Sequence, residues 1–255
     1  MFSIGGRLWR AAGQGIAFVF VGGGFLAVIV FPAIALFTPS QDLTHRRVRY
    51  VIHKVFGLFV WFIKAMGLFD VNLVGVEKLG VCRGCLIVAN HPTLLDVVIV
   101  MALYPNIQCV VKHQLWQNFF LRGVVSAAGF IRNDLGAEEV LDLCSKTFEA
   151  GDNLLIFPEG TRTVPGAYPK LSRGFANVAI LSKANIQIVL IRCRPITLTQ
   201  DKPWYSVPEI KPRLEVYVGD LLSNESYQQT PHRALNARRL VENLETYYRD
   251  ALSHG

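Results

Sequence analysis

Short apolar runs rich in β-branched residues alternate with longer amphipathic runs from Val71 to the C-terminal end of the chain. Runs of the first kind are typical of strands, and runs of the second kind are typical of helices. The predicted strands are Val71–Val76, Cys85–Ala89, Ile107–Val111, Phe130–Arg132, Asn153–Phe157, Ile186–Cys193 and Leu214–Val218. The predicted helices are Thr93–Tyr104, Asn118–Ala128, Ala137–Ala150, Ser172–Lys183 and Pro231–Leu252. This alternation predicts an α/β fold with a mixed, largely parallel sheet flanked by helices.

Two apolar segments precede the alternating region. Gly15–Thr38 contains no charged residue and is long enough to cross a bilayer. We therefore predict a membrane anchor here, either a single span or a hairpin that enters one leaflet. Tyr50–Phe69 is also apolar, but His53 and two lysines interrupt it, so an interfacial helix and a core helix both remain open. The predicted domains are an N-terminal membrane-anchoring helical segment, 1–70, and an α/β domain, 71–255.

The composition also favours a chain that contacts lipid. The hydrophobic fraction is 51%, the charged fraction is 18% and the formal net charge is +7. No basic run with interleaved aromatic residues is present, which argues against nucleic acid as a partner. A basic and apolar chain suits an anionic lipid bilayer better. The excess of basic residues after the predicted anchor, together with the lack of a targeting segment, favours a bacterial inner membrane with the catalytic domain in the cytoplasm.

The five cysteines are odd in number and irregular in spacing, which argues against a disulfide framework. Cys82 and Cys85 form a CxxC pair, but no second Cys pair or His pair stands at the spacing of a zinc site. We therefore predict ordinary thiols and no metal site.

The stretch NHPTLLD, Asn90–Asp96, places a His and an Asp in an otherwise apolar run. Proline disfavours helical backbone at the residue before it and favours the first helical position, so His91 is expected at a strand end. Asp96 then lies in the first turns of a helix, where side chains lean toward the N-terminus and reach back to His91. A carboxylate that orients an imidazole is the arrangement of a general base. A helix cap and a helix-dipole partner would use the same two residues, so the pair alone leaves both interpretations open.

The stretch NLLIFPEGTR ends another predicted strand with a charged cluster. Gly160 permits a tight backbone and the close approach of a ligand. Arg162 offers a planar donor fork for a phosphate or a carboxylate, and Lys170 and Arg173 follow along the same segment. We predict an anion-binding site here, although a surface turn with an ion pair could have the same sequence.

These two stretches, in this order, resemble the motifs of the glycerolipid acyltransferase family, whose best-known members are the 1-acylglycerol-3-phosphate acyltransferases. The first stretch matches the NHxxxxD motif, and Phe157–Arg162 matches the FPEGTR motif at every position. Lys170–Ala179 resembles the basic helix that usually follows. The resemblance runs from about Val71 to Gly219 and implies a membrane-associated enzyme.

The resemblance also implies roles for the matched residues. His91 would be the general base that deprotonates the acceptor hydroxyl, and Asp96 would orient His91 and stabilise its charge. The residues implied to bind substrate, with Arg162 on a phosphate, are Asn90, Glu159, Gly160, Thr161, Arg162, Lys170 and Arg173. The acyl donor would be acyl-CoA or acyl-carrier protein, and no cofactor or metal would be needed.

The sequence is thus expected to encode an O-acyltransferase that acylates a lysophospholipid, with 1-acylglycerol-3-phosphate giving phosphatidic acid. Leu135 stands where this family usually has an Arg, and Gln187 and Leu190 stand where it commonly has prolines. These departures leave open another acceptor: a lyso-ornithine-type lipid, glycerol-3-phosphate or a specialised lipid. A lipid-binding protein that had lost catalysis would show a broken His, Asp or Glu-Gly position, and all of these are intact.

Overall fold

The computed structural model describes residues 9–10, 13, 15, 29–203 and 205–253. The helices in this part of the chain are α1 (Phe31–Leu36), α2 (Gln41–Ala65), α3 (Asp96–Leu103), α4 (Gln114–Gln117), α5 (Phe119–Ala127), α6 (Ala137–Glu149), α7 (Arg173–Ser182) and α8 (Arg233–Ser253). The strands are β1 (Asp70–Val74), β2 (Leu86–Ala89), β3 (Gln108–Val111), β4 (Ile131–Arg132), β5 (Leu154–Ile156), β6 (Ile186–Arg194) and β7 (Arg213–Leu222). Two 3₁₀ turns are also present, at Val76–Val81 and Asn224–Tyr227.

The described strands form one sheet of 7 strands in the order β1-β7-β6-β2-β5-β3-β4. Neighbouring strands pair in parallel, except for β6 and β7, which are antiparallel. The predicted mixed, largely parallel sheet is therefore confirmed, and all seven predicted strands are present. The clearest difference in length is β7, which continues to Leu222 beyond the predicted end at Val218.

Successive side chains of a strand point to opposite faces of the sheet. Because the buried strands are apolar on both faces, helices cover both faces of this sheet. In β2, Ile87 and Ala89 point into a core shared with α1, α2, α3 and α5. Leu86 and Val88 point into a second core, shared with α6, α7 and α8. The result is a three-layer arrangement in which β2 is completely buried.

Helix α2 bears out the core-helix interpretation of Tyr50–Phe69 for one face of the helix, while the interfacial interpretation stays a prediction. It begins earlier than predicted, at Gln41, because the Ser40 hydroxyl accepts a hydrogen bond from the Leu43 N–H at 3.3 Å. One face of the helix, including Val48 and Phe59, is buried in the first core. The opposite face is exposed, so α2 is a core helix on one side only.

A buried ion pair attaches α2 to the turn before β5. The guanidinium of Arg49 donates to the Asp152 carboxylate at 2.9 Å, and both side chains are less than a tenth exposed. Arg46 contacts the same carboxylate from the next turn of α2. Because two cations share one buried acid, the position of α2 against the sheet is well defined.

Most of the predicted anchor, Gly15–Thr38, lies outside the described residues, and its described end includes α1. Among the helices that the structure does describe, none combines the length and the apolar character needed to cross a bilayer. The anchor and the division into 1–70 and 71–255 stay predictions.

Candidate functional site

The site forms where β2 and β5 end side by side. The two strands pair in parallel, with Leu86 opposite Leu154 and Val88 opposite Ile156. Their carboxyl ends therefore lie at the same edge of the sheet, where open α/β sheets usually bind ligands. His91 follows β2, and the segment from Phe157 to Arg162 follows β5, so the pairing brings the two predicted motifs together.

The predicted contact between His91 and Asp96 is present. His91 Nδ1 lies 2.8 Å from Asp96 Oδ2. The Asp96 side chain is completely buried, whereas 16% of the His91 side chain is exposed. With Nδ1 held by the carboxylate, Nε2 is the ring nitrogen that can exchange a proton with a substrate.

Asp96 is held by bonds within its own turn, and these explain why α3 begins at Asp96 and not at the predicted Thr93. Asp96 Oδ2 accepts the Thr93 N–H, and Oδ1 accepts the Thr93 hydroxyl, each at 2.6 Å. Side-chain bonds to nearby backbone compete with helical bonds, so the segment after Pro92 forms a turn. Burial raises the pKa of the Asp96 carboxyl, while the bonds from His91 and Thr93 act in the opposite direction.

The segment after β5 wraps around the backbone of His91. Glu159 Oε1 accepts the His91 N–H at 2.7 Å, and the Thr163 N–H donates to the His91 carbonyl at 2.8 Å. The Thr163 hydroxyl donates to Glu159 Oε2. The Phe157 ring lies against the imidazole, with ring centroids 4.4 Å apart. His91 is therefore fixed on its backbone and on its ring.

A cleft of about 610 Å³ opens beside His91. Four residues of the FPEGTR motif line it together with His91: Phe157, Gly160, Thr161 and Arg162. Much of the remaining wall is apolar and comes from Leu94, Val97, Cys109, Val110, Val111, Leu115, Val140, Ile156, Phe175 and Val178. A titratable pair, a cation and an apolar wall in one cleft suit a ligand that has a polar head and a hydrocarbon part.

Arg162 and Thr161 also hold the loop that follows β6. Arg162 Nη1 donates to the carbonyls of Leu198 and Thr199, at 2.9 and 3.0 Å. The Thr161 hydroxyl donates to the Gln200 side chain at 2.8 Å. These contacts involve one nitrogen of the guanidinium, and the rest of the donor fork is suited to an anion in the cleft.

The other predicted substrate-binding residues lie elsewhere. The Asn90 side chain is 2% exposed and bridges to β6: it donates to the Ile191 carbonyl at 2.8 Å and accepts the Ile191 N–H at 2.7 Å. Lys170 and Arg173 are exposed. Among the described residues that line the cleft are their neighbours Ser172 and Gly174, but not Lys170 or Arg173 themselves.

Sequence reasoning missed several residues of the site, including Lys112, Asn133 and Thr163. Lys112 and Asn133 line the cleft from the ends of β3 and β4, and Thr163 contacts Glu159. Ligands usually bind at the carboxyl ends of the strands in open α/β sheets. Because Lys112 directly follows a predicted strand, its place in the site could have been predicted in the same way as that of His91. No comparable signal marks Thr163, because its partner is set by the folding of the loop.

The five cysteines are buried free thiols. Burial raises the pKa of Cys109, which lines the cleft, to about 12, so its reactive thiolate form is scarce at neutral pH. Among the described residues, no three His, Cys, Asp or Glu side chains come together as a metal site would require.

Comparisons with known proteins relate the chain to acyltransferases. A family model described as Acyltransferase matches residues 70–193. The chain is 29% identical over 174 residues to a 1-acyl-sn-glycerol-3-phosphate acyltransferase of Helicobacter pylori, covering 65% of this chain and 73% of that protein. It is 26% identical to a chloroplastic 1-acyl-sn-glycerol-3-phosphate acyltransferase of Arabidopsis thaliana, covering 68% of this chain but only 46% of that protein.

The fold is similar to a solved structure, that of the 1-acyl-sn-glycerophosphate acyltransferase PlsC of Thermotoga maritima. The TM-score is 0.67 at 16% sequence identity, and the match covers 94% of this chain and 98% of that one. At this identity the likeness concerns the fold.

The position of Asn90 gives a prediction about stability. Asn90→Ala would leave the buried N–H and carbonyl of Ile191 without their side-chain partners, so we expect the free energy of unfolding to fall by about 2–4 kcal/mol. Urea unfolding measures this. Asn133→Ala, at an exposed residue that accepts one hydrogen bond from the His113 N–H, is the control and should cost less than about 1 kcal/mol. Unchanged stability with a raised KM for the acceptor would instead assign Asn90 to substrate binding.

Proposed function

Because the chain belongs to the glycerolipid acyltransferase family and is an O-acyltransferase, we propose that it acylates the free hydroxyl of a lysophospholipid. The proposed acceptor is 1-acylglycerol-3-phosphate, which gives phosphatidic acid, and the proposed donor is acyl-CoA or acyl-carrier protein. The observation that carries the proposal is the His91–Asp96 pair at a cleft with an apolar wall and a cation. The names of the relatives support the choice of acceptor.

In this mechanism His91 Nε2 removes the proton from the acceptor hydroxyl. The hydroxyl oxygen attacks the thioester carbonyl, the new C–O bond forms, and the C–S bond breaks. The proton then passes from His91 to the departing thiolate sulfur. Asp96 holds the ring at Nδ1 and stabilises the imidazolium that forms between these steps. We propose that transfer is direct, without an acyl-enzyme, and the raised pKa of the buried Cys109 thiol in the cleft argues against this thiol as an intermediate nucleophile.

Different parts of the cleft would bind different parts of the acceptor. Arg162 would contact the acceptor phosphate, with the backbone at Gly160 and the Thr161 hydroxyl beside it. Lys112 also lines the cleft and would supply a second positive charge. The apolar side chains from β3, β5 and α7 would take a hydrocarbon chain, whose burial provides about 0.8 kcal/mol per CH₂.

We also propose that the exposed face of α2 rests on a membrane. The exposed stripe of α2 has members three or four residues apart along the helix, which places them on one side. Its members are Leu43, Arg47, Tyr50, Lys54, Leu58 and Trp61. Aromatic and aliphatic side chains mixed with cations are the composition of a helix that lies in an anionic lipid surface. A bacterial inner membrane, with the catalytic domain in the cytoplasm, is the proposed location.

His91→Ala tests the enzymatic proposal. Membranes carrying the wild-type chain should acylate lysophosphatidate from acyl-CoA or acyl-carrier protein, and the variant should lose at least about 10²-fold of this rate. A panel with a lyso-ornithine lipid and glycerol-3-phosphate identifies the acceptor in the same assay. If no acceptor gives a product that depends on His91, the proposed function is wrong.

Arg162→Gln tests whether the acceptor carries a phosphate. The amide keeps a donor for the Leu198 and Thr199 carbonyls but removes the charge. We expect kcat/KM for lysophosphatidate to fall about tenfold to a hundredfold more than kcat/KM for a phosphate-free lyso-lipid. The ratio of the two losses is the measure, because damage to the loop affects both acceptors. Equal losses would show that Arg162 does not bind the phosphate.

Lys54→Glu tests the exposed stripe of α2. Reversing this charge should weaken binding to phosphatidylglycerol vesicles about tenfold or more at low ionic strength, because each basic residue near an anionic surface contributes about 1 kcal/mol. Vesicle flotation measures the bound fraction. Lys146→Glu makes the same charge change on α6, across the sheet, and is the matched control. Equal binding by both variants would argue against the stripe.

A further inference from the structure

We infer that Glu159 and Thr163 form a positioning pair that holds His91 in place, and that Glu159 acts through His91 and not on the acceptor. This inference rests on the proposed function of the same site. It separates the FPEGTR motif into a part that contacts the acceptor and a part that supports the general base. It also adds Thr163, which lies just beyond that motif, to the residues on which the reaction depends.

The backbone of His91 is bound by the loop that follows β5. Its N–H donates to Glu159 Oε1 at 2.7 Å, and its carbonyl accepts the Thr163 N–H at 2.8 Å. Both polar backbone groups of the general base are therefore bound to one short loop. Since β2 ends at Ala89, the sheet does not supply these bonds, and a buried N–H without a partner is costly. The loop thus supplies the backbone hydrogen bonds that a neighbouring strand would supply if β2 extended to His91.

The orientation of the Glu159 carboxylate also favours a positioning role. Both oxygens of Glu159 are engaged on the inner side of the loop, one by the His91 N–H and the other by the Thr163 hydroxyl. Gly160, at φ 69°, turns the chain immediately after Glu159, and its N–H closes the turn on the Phe157 carbonyl at 3.1 Å. The turn sends Glu159 inward, while Thr161 and Arg162 line the cleft.

The negative charge of Glu159 also favours a place beside His91 over one beside the acceptor. A carboxylate that faced an acceptor phosphate would repel it, whereas beside His91 it favours the imidazolium formed during transfer. Burial raises the pKa of Glu159, and the bonds from Thr163 and from the His91 N–H counteract this effect. The Thr163 hydroxyl therefore stabilises the charged form of a carboxylate that supports the general base.

The test compares Thr163→Val, Thr163→Ser and Arg162→Gln in the acyl-transfer assay. For Thr163→Val we expect kcat to fall about tenfold to 10²-fold, with KM for the acceptor within about twofold of wild type. Thr163→Ser keeps the hydroxyl and should restore kcat to near the wild-type value. Arg162→Gln should show the opposite pattern, a raised KM. A raised KM for Thr163→Val with kcat unchanged would overturn the inference.

Hydrogen–deuterium exchange at His91 gives a second readout that needs no activity. The His91 amide should exchange faster in Thr163→Val and in Glu159→Gln than in wild type, and at the wild-type rate in Thr163→Ser. Thermal unfolding of each variant separates a local change from a loss of fold. Unchanged exchange at His91 in Thr163→Val would overturn the positioning pair. Absence of His91-dependent transfer in the wild type would instead overturn the proposed function, so the two failures are distinguishable.

Discussion

The site depends on the parallel pairing of β2 with β5. Val88 lies opposite Ile156 near the ends of the two strands, and this register sets where the segments that follow them meet. A shift of one residue would move every side chain of a strand to the other face of the sheet. Both strands are flanked by other strands and covered by helices, which leaves them one way to bury their apolar side chains. The packing of the core thus sets the distance between His91, the proposed general base, and the loop that follows β5.

A buried carboxylate is costly unless each of its oxygens accepts a hydrogen bond. Asp96 meets this condition with His91 and both donors of Thr93, and Glu159 meets it with His91 and Thr163. The two acids contact different parts of the histidine: Asp96 contacts the ring, and Glu159 contacts the backbone. This division keeps the ring oriented without filling the side of His91 that faces the cleft.

The sequence was sufficient for the elements of the sheet and for the His91–Asp96 contact, because both depend on local patterns. Strand periodicity is read within a few residues, and the contact follows from a proline and one turn of chain. It was insufficient for Asn90, whose partner Ile191 is distant in the chain and is set by the pairing of β2 with β6. It was also insufficient for α2, since apolar residues on both sides of that helix hide which side the sheet covers.

The position of α2 links the proposed membrane surface to the chemistry. Helix α2 packs against α3, where the His53 ring lies 3.0 Å from the Met101 carbonyl, and α3 begins at Asp96. The opposite face of α2 carries the exposed stripe, so a bilayer that bound the stripe would also fix the orientation of α3 and of the His91–Asp96 pair. A lipid acceptor leaves a bilayer with its headgroup foremost, and its hydroxyl lies close to that headgroup. An enzyme held on the surface in one orientation needs to move such a substrate by only a short distance, which lowers the cost of exposing its hydrocarbon chain to water.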